Sequence, residues 1–163
     1  NFDLRGLPLR LVHAGPDFAL PFDRWAFDLA YWNALHPCPA DPIRVANELY
    51  RVLKPGGKLF CLLPARYDVG FWQHLLAPLR RWYRPPAGFT DAPRYSGRAA
   101  RHLFAQFAEH RVSKRHLRRG ELPYLWRFLP PAALERVMGR VLVVRAFKPV
   151  TAALKALPPD AAA

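Results

Sequence analysis

Apolar and polar positions follow two different periods along this 163-residue chain, and the switches between them predict its elements. Leu9, Leu11 and Val12 give a short strand that breaks at Gly15-Pro16. Phe27 to Trp32 is a mostly apolar run with one charge, Asp28, near its start, which predicts a strand buried on both faces of a parallel sheet. Asn33 to Pro39 would form the loop at its C-terminal end. "DPIRVANELYRVL" then carries a full helix grammar: Asp41 as N-cap, Pro42 at the first helical position, and apolar Ile43, Ala46, Tyr50 and Leu53 near helical spacing. Pro55 cannot continue that helix and Gly56-Gly57 permit a positive-φ turn, so Lys54 to Gly57 predicts a helix-to-strand reversal into the apolar strand Lys58 to Leu63.

A long stretch over 65–108 follows, with helical pieces around 69–83 and 97–108 flanking a loop rich in Pro and Gly. An insertion of that size after a core strand predicts a helical cap or lid. Two more strands are expected at Arg111 to Leu117 and Val141 to Phe147. The segment between them is helical in parts, interrupted by Pro130-Pro131 and closed by Gly139, while residues 150–163 form an Ala/Pro-rich flexible tail. Strands alternating with helices argue an α/β sheet whose ligands bind at the C-terminal strand ends.

Composition changes this picture in two places. With 52% hydrophobic and 13% aromatic residues the chain can bury a core, and it contains no apolar run long enough to span a bilayer and no signal peptide, so a cytoplasmic protein is expected. The formal charge of +13, from 25 basic against 12 acidic residues, suits attraction to nucleic acid, anionic lipid or an acidic substrate, and equally suits the compositional drift of a GC-rich genome. Cys38 and Cys61 are the two cysteines; neither a disulfide framework nor a zinc spacing is present, and Cys61 reads as a small buried hydrophobe. The chain starts at Asn1 rather than Met, which reads as a piece of a longer protein.

Leu20-Pro21-Phe22, Phe27-Asp28-Leu29 and Arg51-Val52-Leu53-Lys54-Pro55-Gly56-Gly57 stand in the order and spacing found in class I S-adenosylmethionine-dependent methyltransferases, and the chain resembles the second half of such a domain over residues 14–64. "RVLVVRAFKP" resembles the family's last strand, which runs antiparallel to its neighbours. The resemblance implies a Rossmann-like sheet of strand order 3-2-1-4-5-7-6, here incomplete: strands 3 to 7 with the cap insertion, within a partial domain over 1–149. The family's glycine-rich loop and ribose-binding acid have no counterpart, so the resemblance implies weak or no cofactor binding by the chain as it stands.

What the resemblance implies for sites is specific. S-adenosyl-L-methionine would meet Asp17 and Phe18 at its adenine end, with Gly15-Pro16 standing where the family has Gly-Asp, and Trp32 and Asn33 at its methionine end. Methyl transfer is an in-line displacement that placement largely drives, and a general base helps where the acceptor is a hydroxyl or activated carbon. His36 is the base candidate, with His74 and Tyr67 as further ones; a loop histidine also commonly caps local backbone. Tyr67, Phe71, Trp72 and His74 would face a small or lipophilic acceptor, or belong to a helix that packs its aromatic face on the core or lies on a membrane surface. The basic run 110–120 lacks any nucleic-acid-binding signature and reads as a strand with one solvated basic face. Two other functions stay open: a noncatalytic basic module for nucleic acid or anionic membranes, and a degenerate methyltransferase-like subunit serving a partner.

Overall fold

The computed structural model describes residues 12, 14, 18–36, 41–75, 93–117, 122 and 128–150, with the side chains of 73–75 left aside. The expected strand at 9–14, the cap loop over 76–92, Cys38 and the tail from 151 lie outside them, Val12 and Ala14 being described without strand structure. Eight elements follow in order: β1 (Phe27–Asn33), α1 (Pro42–Val52), β2 (Leu53–Pro64), α2 (Val69–Leu75), α3 (Gly97–Leu103), β3 (Ala108–Arg115), α4 (Pro131–Met138) and β4 (Val141–Phe147).

The four strands form one sheet in the order β1-β2-β4-β3. β1 runs parallel to β2, joined by α1 as a right-sized crossover, whereas β4 is antiparallel to both β2 and β3. This is the 4-5-7-6 portion of the expected strand order, with the antiparallel final strand where "VLVVRAF" predicted it. β3 begins three residues earlier than its expected span and takes a bulge between Ala108 and Arg111, with Glu109 at φ 51°. Its half-buried and exposed residues alternate, so Arg111, Ser113 and Arg115 make a solvated, basic face.

One face of the sheet carries the core. Ala30, Trp32, Leu59, Cys61, Leu63, Leu142, Val144 and Ala146 meet Val45, Ala46 and Leu49 of α1 and Ala100 of α3, with Phe104 and Phe107 behind it. Asp41 caps α1 as expected, accepting from the Ile43 N–H at 3.0 Å. The helix, however, buries Val45, Ala46, Leu49 and Val52, and leaves Ile43 59% exposed. The i, i+1, i+4, i+7 set is the tighter stripe, and it turns Ile43 outward.

The expectation of a strand buried on both faces fails at β1. Ala30 and Trp32 point into the core, while Leu29 and Tyr31 are 60% and 56% exposed on the opposite side. There Tyr31 stacks on Phe60 of β2, and the Arg145 guanidinium of β4 lies over Phe60 in turn. An apolar run such as FDLAYW records that a strand is hydrophobic on both sides, and α1 and α3 cover only one of them.

The Lys54-Pro55-Gly56-Gly57 segment is likewise a correction. It is not a turn between elements, because β2 already starts at Leu53 and runs through it. Phe27 pairs with Leu53 and Leu29 with Lys58, so the segment forms a wide irregularity inside the strand. Gly56 sits at φ 77°, and a Cβ on Gly57 would stand 2.7 Å from the Lys54 carbonyl oxygen and 3.2 Å from that of Asp28. The two glycines are therefore needed for different reasons, one for its dihedral and one for its close backbone approach.

Candidate functional site

The parallel strands β1 and β2 end side by side, with Asn33 and His36 following the one and Tyr67 the other. The Ala34 N–H donates to the Leu62 carbonyl at 2.9 Å, extending the ladder by one bond past β1. Asn33, the last residue of β1, turns its Oδ1 onto the Leu35 N–H at 3.2 Å and closes a short turn that presents His36 to solvent. Asn33 thus shapes the turn with its own side chain. Trp32 points the other way: it is 9% exposed and meets Phe104 edge-to-face at 6.2 Å, so its ring is part of the core.

After β2 the chain forms a second wall. The Phe71 N–H donates to Asp68 Oδ1 at 2.9 Å at the start of α2, and Arg94 pairs with Asp68 at 3.5 Å. The Arg66 N–H donates to the Tyr95 carbonyl and the Tyr95 N–H to that of Pro64, each at 2.8 Å, tying the segment before α3 to the end of β2. On this framework Tyr67, Phe71 and Trp72 form a chain of edge-to-face rings, with centroids 5.0 and 5.7 Å apart. Tyr67 and Phe71 are exposed, whereas Trp72 packs toward Val69, Leu122, Leu134 and Met138. Lys114 of β3 donates from Nζ to the carbonyls of Tyr67 and Val137, both at 2.7 Å, so one ammonium joins the loop after β2 to the end of α4. Burial pushes the Lys114 ammonium below its ordinary range, and Asp68 opposes the shift.

Of the residues expected at the site, Tyr67, Phe71 and Trp72 are brought into contact with one another, and Asn33 and His36 share the neighbouring turn. Asp17 and the side chain of His74 lie outside the described residues. Phe18 packs against the main core with φ 55°. Cys61 is fully buried in β2, and burial raises its thiol far above the usual range, leaving it inert. Among the described residues no cluster of His, Cys, Asp and Glu could hold a metal ion, and no helix is long and apolar enough to cross a membrane.

The opposite end of the sheet holds a network that the residue pattern did not reveal. Arg51 donates from Nη1 to the Phe22 carbonyl at 2.8 Å and from Nη2 to the Leu20 carbonyl at 2.9 Å, while its Nε meets Glu48 Oε1 at 3.0 Å. Glu48 Oε2 accepts from the Leu20 N–H at 3.2 Å. The hydrogen bond from Arg51 holds the Glu48 carboxyl below the usual carboxylate range, against the opposing effect of burial. A Glu-x-x-Arg pair closing a helix was visible in the sequence, but its targets are backbone groups that carry no side-chain signature.

Residues 4–61 match the family model described as a methyltransferase domain. Over this segment the chain is similar to part of a methyltransferase domain. The match covers the motif-bearing segment, and the strand order observed is the second half of that fold. The chain is 34% identical over 106 residues to a demethylmenaquinone methyltransferase of Lactiplantibacillus plantarum, covering 64% of this chain and 40% of that protein. It is 33% identical over 88 residues to a demethylmenaquinone methyltransferase of Listeria welshimeri, covering 53% and 36%. The chain thus spans well under half the length of these curated relatives. In fold it is similar to a crystal structure of a S-adenosylmethionine-dependent methyltransferase from Thermotoga maritima, described as a possible histamine N-methyltransferase (TM-score 0.51, 22% identity, 79% of this chain and 59% of that one). A S-adenosylmethionine-dependent methyltransferase from Aquifex aeolicus is similar at TM-score 0.52 and 15% identity, over 90% and 59% of the two chains.

Against the family's cofactor, the described residues supply an exposed turn at the parallel strand ends. The Asn33–His36 turn stands at the parallel strand ends with its histidine exposed, and Phe18 lies at the entry to β1. Among the described residues β1 ends in Asn33 rather than a carboxylate, and its one acid, Asp28, faces the far end of the sheet in a pair with Lys54 at 2.9 Å.

Proposed function

We propose that the polypeptide to which this chain belongs transfers a methyl group from S-adenosylmethionine to a small or lipophilic acceptor, with a quinone-like ring as the class its relatives point to. The observation that carries this reading is the coincidence of the methyltransferase-domain match over 4–61 with the parallel pair β1-β2 followed by the antiparallel β4. The acceptor class draws its support from the relatives' names and from the exposed, ring-lined wall of Tyr67 and Phe71 beside the strand ends.

When bound, the cofactor supplies an activated methyl group on a sulfonium. In this reading Asp17 and Phe18 hold its adenine end and the Asn33 turn its methionine end. Tyr67, Phe71 and His74 position the acceptor ring, Trp72 backs Phe71 from the core side, and His36 receives the proton that an acceptor hydroxyl or ring carbon gives up. Closing an apolar wall over the reacting atoms also keeps water away from the methyl group.

The test is methyl transfer from isotopically labelled S-adenosylmethionine to a short-tailed demethylmenaquinone, offered in oxidised and reduced forms to the chain and to its upstream-extended polypeptide. Labelled product with the reduced form supports the reading. Tight cofactor binding with no transfer to any ring acceptor overturns the acceptor class, and no cofactor binding by either length overturns the enzyme.

A further inference from the structure

The segment entering β1 is held by side chains rather than by a sheet ladder. Leu20 has both of its backbone groups engaged by one ion pair, its N–H on Glu48 Oε2 and its carbonyl on Arg51 Nη2. The Phe22 carbonyl takes Arg51 Nη1, the Phe22 N–H returns to the Leu20 carbonyl at 2.8 Å, and the Trp25 N–H donates to the Arg51 carbonyl at 3.1 Å. A guanidinium is the group that can do this, because its planar fork aims several N–H donors in fixed directions, from Nη1 and Nη2 at backbone carbonyls and from Nε and Nη2 at the carboxylate. Two residues of chain span at most about 7 Å, so a clamp at Leu20 bounds where Phe18 can stand. Phe18 adds a second constraint, with φ 55° and its ring on the main core.

From this geometry we infer that Glu48 and Arg51 are a positioning pair for the cofactor's adenine wall: they touch neither cofactor nor acceptor, and they fix the 18–22 segment on which that wall is built. The inference rests on the methyltransferase reading and adds two residues to it. Lysine at 51 offers one point charge and cannot reach both carbonyls while pairing with Glu48, so R51K restores the charge without the clamp's geometry.

The experiment uses the upstream-extended polypeptide as wild type, R51M, R51K and E48Q, each kept well below its melting temperature. Amide hydrogen exchange over 18–24 without ligand reads the clamp itself. Isothermal titration with S-adenosylhomocysteine and with 5′-methylthioadenosine, which keeps the adenosine and lacks the amino-acid portion, reads the adenine wall. Expected for R51M are faster exchange confined to 18–24 and an affinity loss of about tenfold, equal for both ligands, with partial recovery in R51K and an intermediate loss in E48Q. Unchanged affinity in R51M, or a loss unaccompanied by faster exchange, overturns the positioning role alone. A wild-type polypeptide that binds neither ligand overturns the functional reading and the positioning role with it.

Discussion

The two ends of the β1-β2 pair are built on opposite principles. Where β2 begins, side chains are consumed in holding backbone. Arg51 and Glu48 clamp the segment before β1, Lys54 pairs with Asp28, and Lys148 sends its ammonium onto the Tyr50 and Leu53 carbonyls at 2.5 and 2.7 Å from a position only 3% exposed. The Gly56 N–H donates to the Lys148 carbonyl and the Lys148 N–H to that of Gly57, closing the irregular start of β2 against the residue after β4. Where the strands end, hydrogen bonds still hold the backbone, but Tyr67, Phe71 and His36 leave their side chains exposed. One end spends its side chains on holding backbone, the 18–22 segment included, and the other leaves side chains exposed.

That contrast is breakable by substitution, and Gly57 is the strongest place to try. G57A drives a Cβ against two backbone carbonyls that have nowhere to move, and is expected to cost about 3 kcal/mol in chemical denaturation. A cost under about 0.5 kcal/mol would mean that the irregularity in β2 is loose.

K148M should come next, at about 2 kcal/mol, because two buried carbonyls at the end of α1 lose their donor. It also carries a pH signature. Burial, with the neighbouring Arg24 adding to it, lowers the Lys148 ammonium to about 8, so the folded state releases this proton before the unfolded chain does. The wild type should therefore gain stability from this group as pH rises from about 8 toward the ordinary lysine value, and K148M should lose that slope. Denaturant midpoints taken across that window decide the point.

Glu48 provides the acid-side counterpart. Its folded carboxyl lies below the usual range, so its contribution is complete at neutral pH and fades as pH falls below the ordinary glutamate value. E48Q should flatten the acid limb of a stability-against-pH curve, and an unchanged limb would place the clamp's strength elsewhere. D41A, which removes the α1 N-cap, is expected to cost about 1 kcal/mol by thermal melt.

The smallest stability effect belongs to the other end. Y67A and F71A should each change unfolding free energy by under about 1 kcal/mol, since the rings are partly exposed and lose one or two edge-to-face contacts, while weakening acceptor binding in the full polypeptide. A large stability loss in either would erase the contrast between the two ends.

The same division governs what could be read from the residues. α1 was legible because Asp41, Pro42 and its apolar stripe act locally, and β4 because "VLVVRAF" is apolar beyond any doubt of period. The Lys54–Gly57 segment misled because proline and glycines signal a departure from regular structure without saying whether it is a turn or a bulge, and pairing around it with Phe27, Leu29 and Lys148 decides that. β1 misled because hydrophobicity on both sides of a strand does not say which side a helix covers. At the site, Tyr67 just before α2 and Phe71 and Trp72 within it were legible as an aromatic cluster after β2, whereas Trp32 belongs to the core because the strand's two-residue period turns it inward with Ala30. The Arg51 clamp stayed hidden because its partners are carbonyl oxygens 29 and 31 residues away.

The central claim, that this sheet is part of a methyl-transferring enzyme, is tested most directly by isothermal titration of S-adenosylhomocysteine into residues 1–163 and into the same chain extended upstream in its reading frame. The account predicts a saturable one-to-one isotherm for the extended polypeptide and little or no heat for residues 1–163. An extended polypeptide that folds and binds no S-adenosylhomocysteine would contradict it.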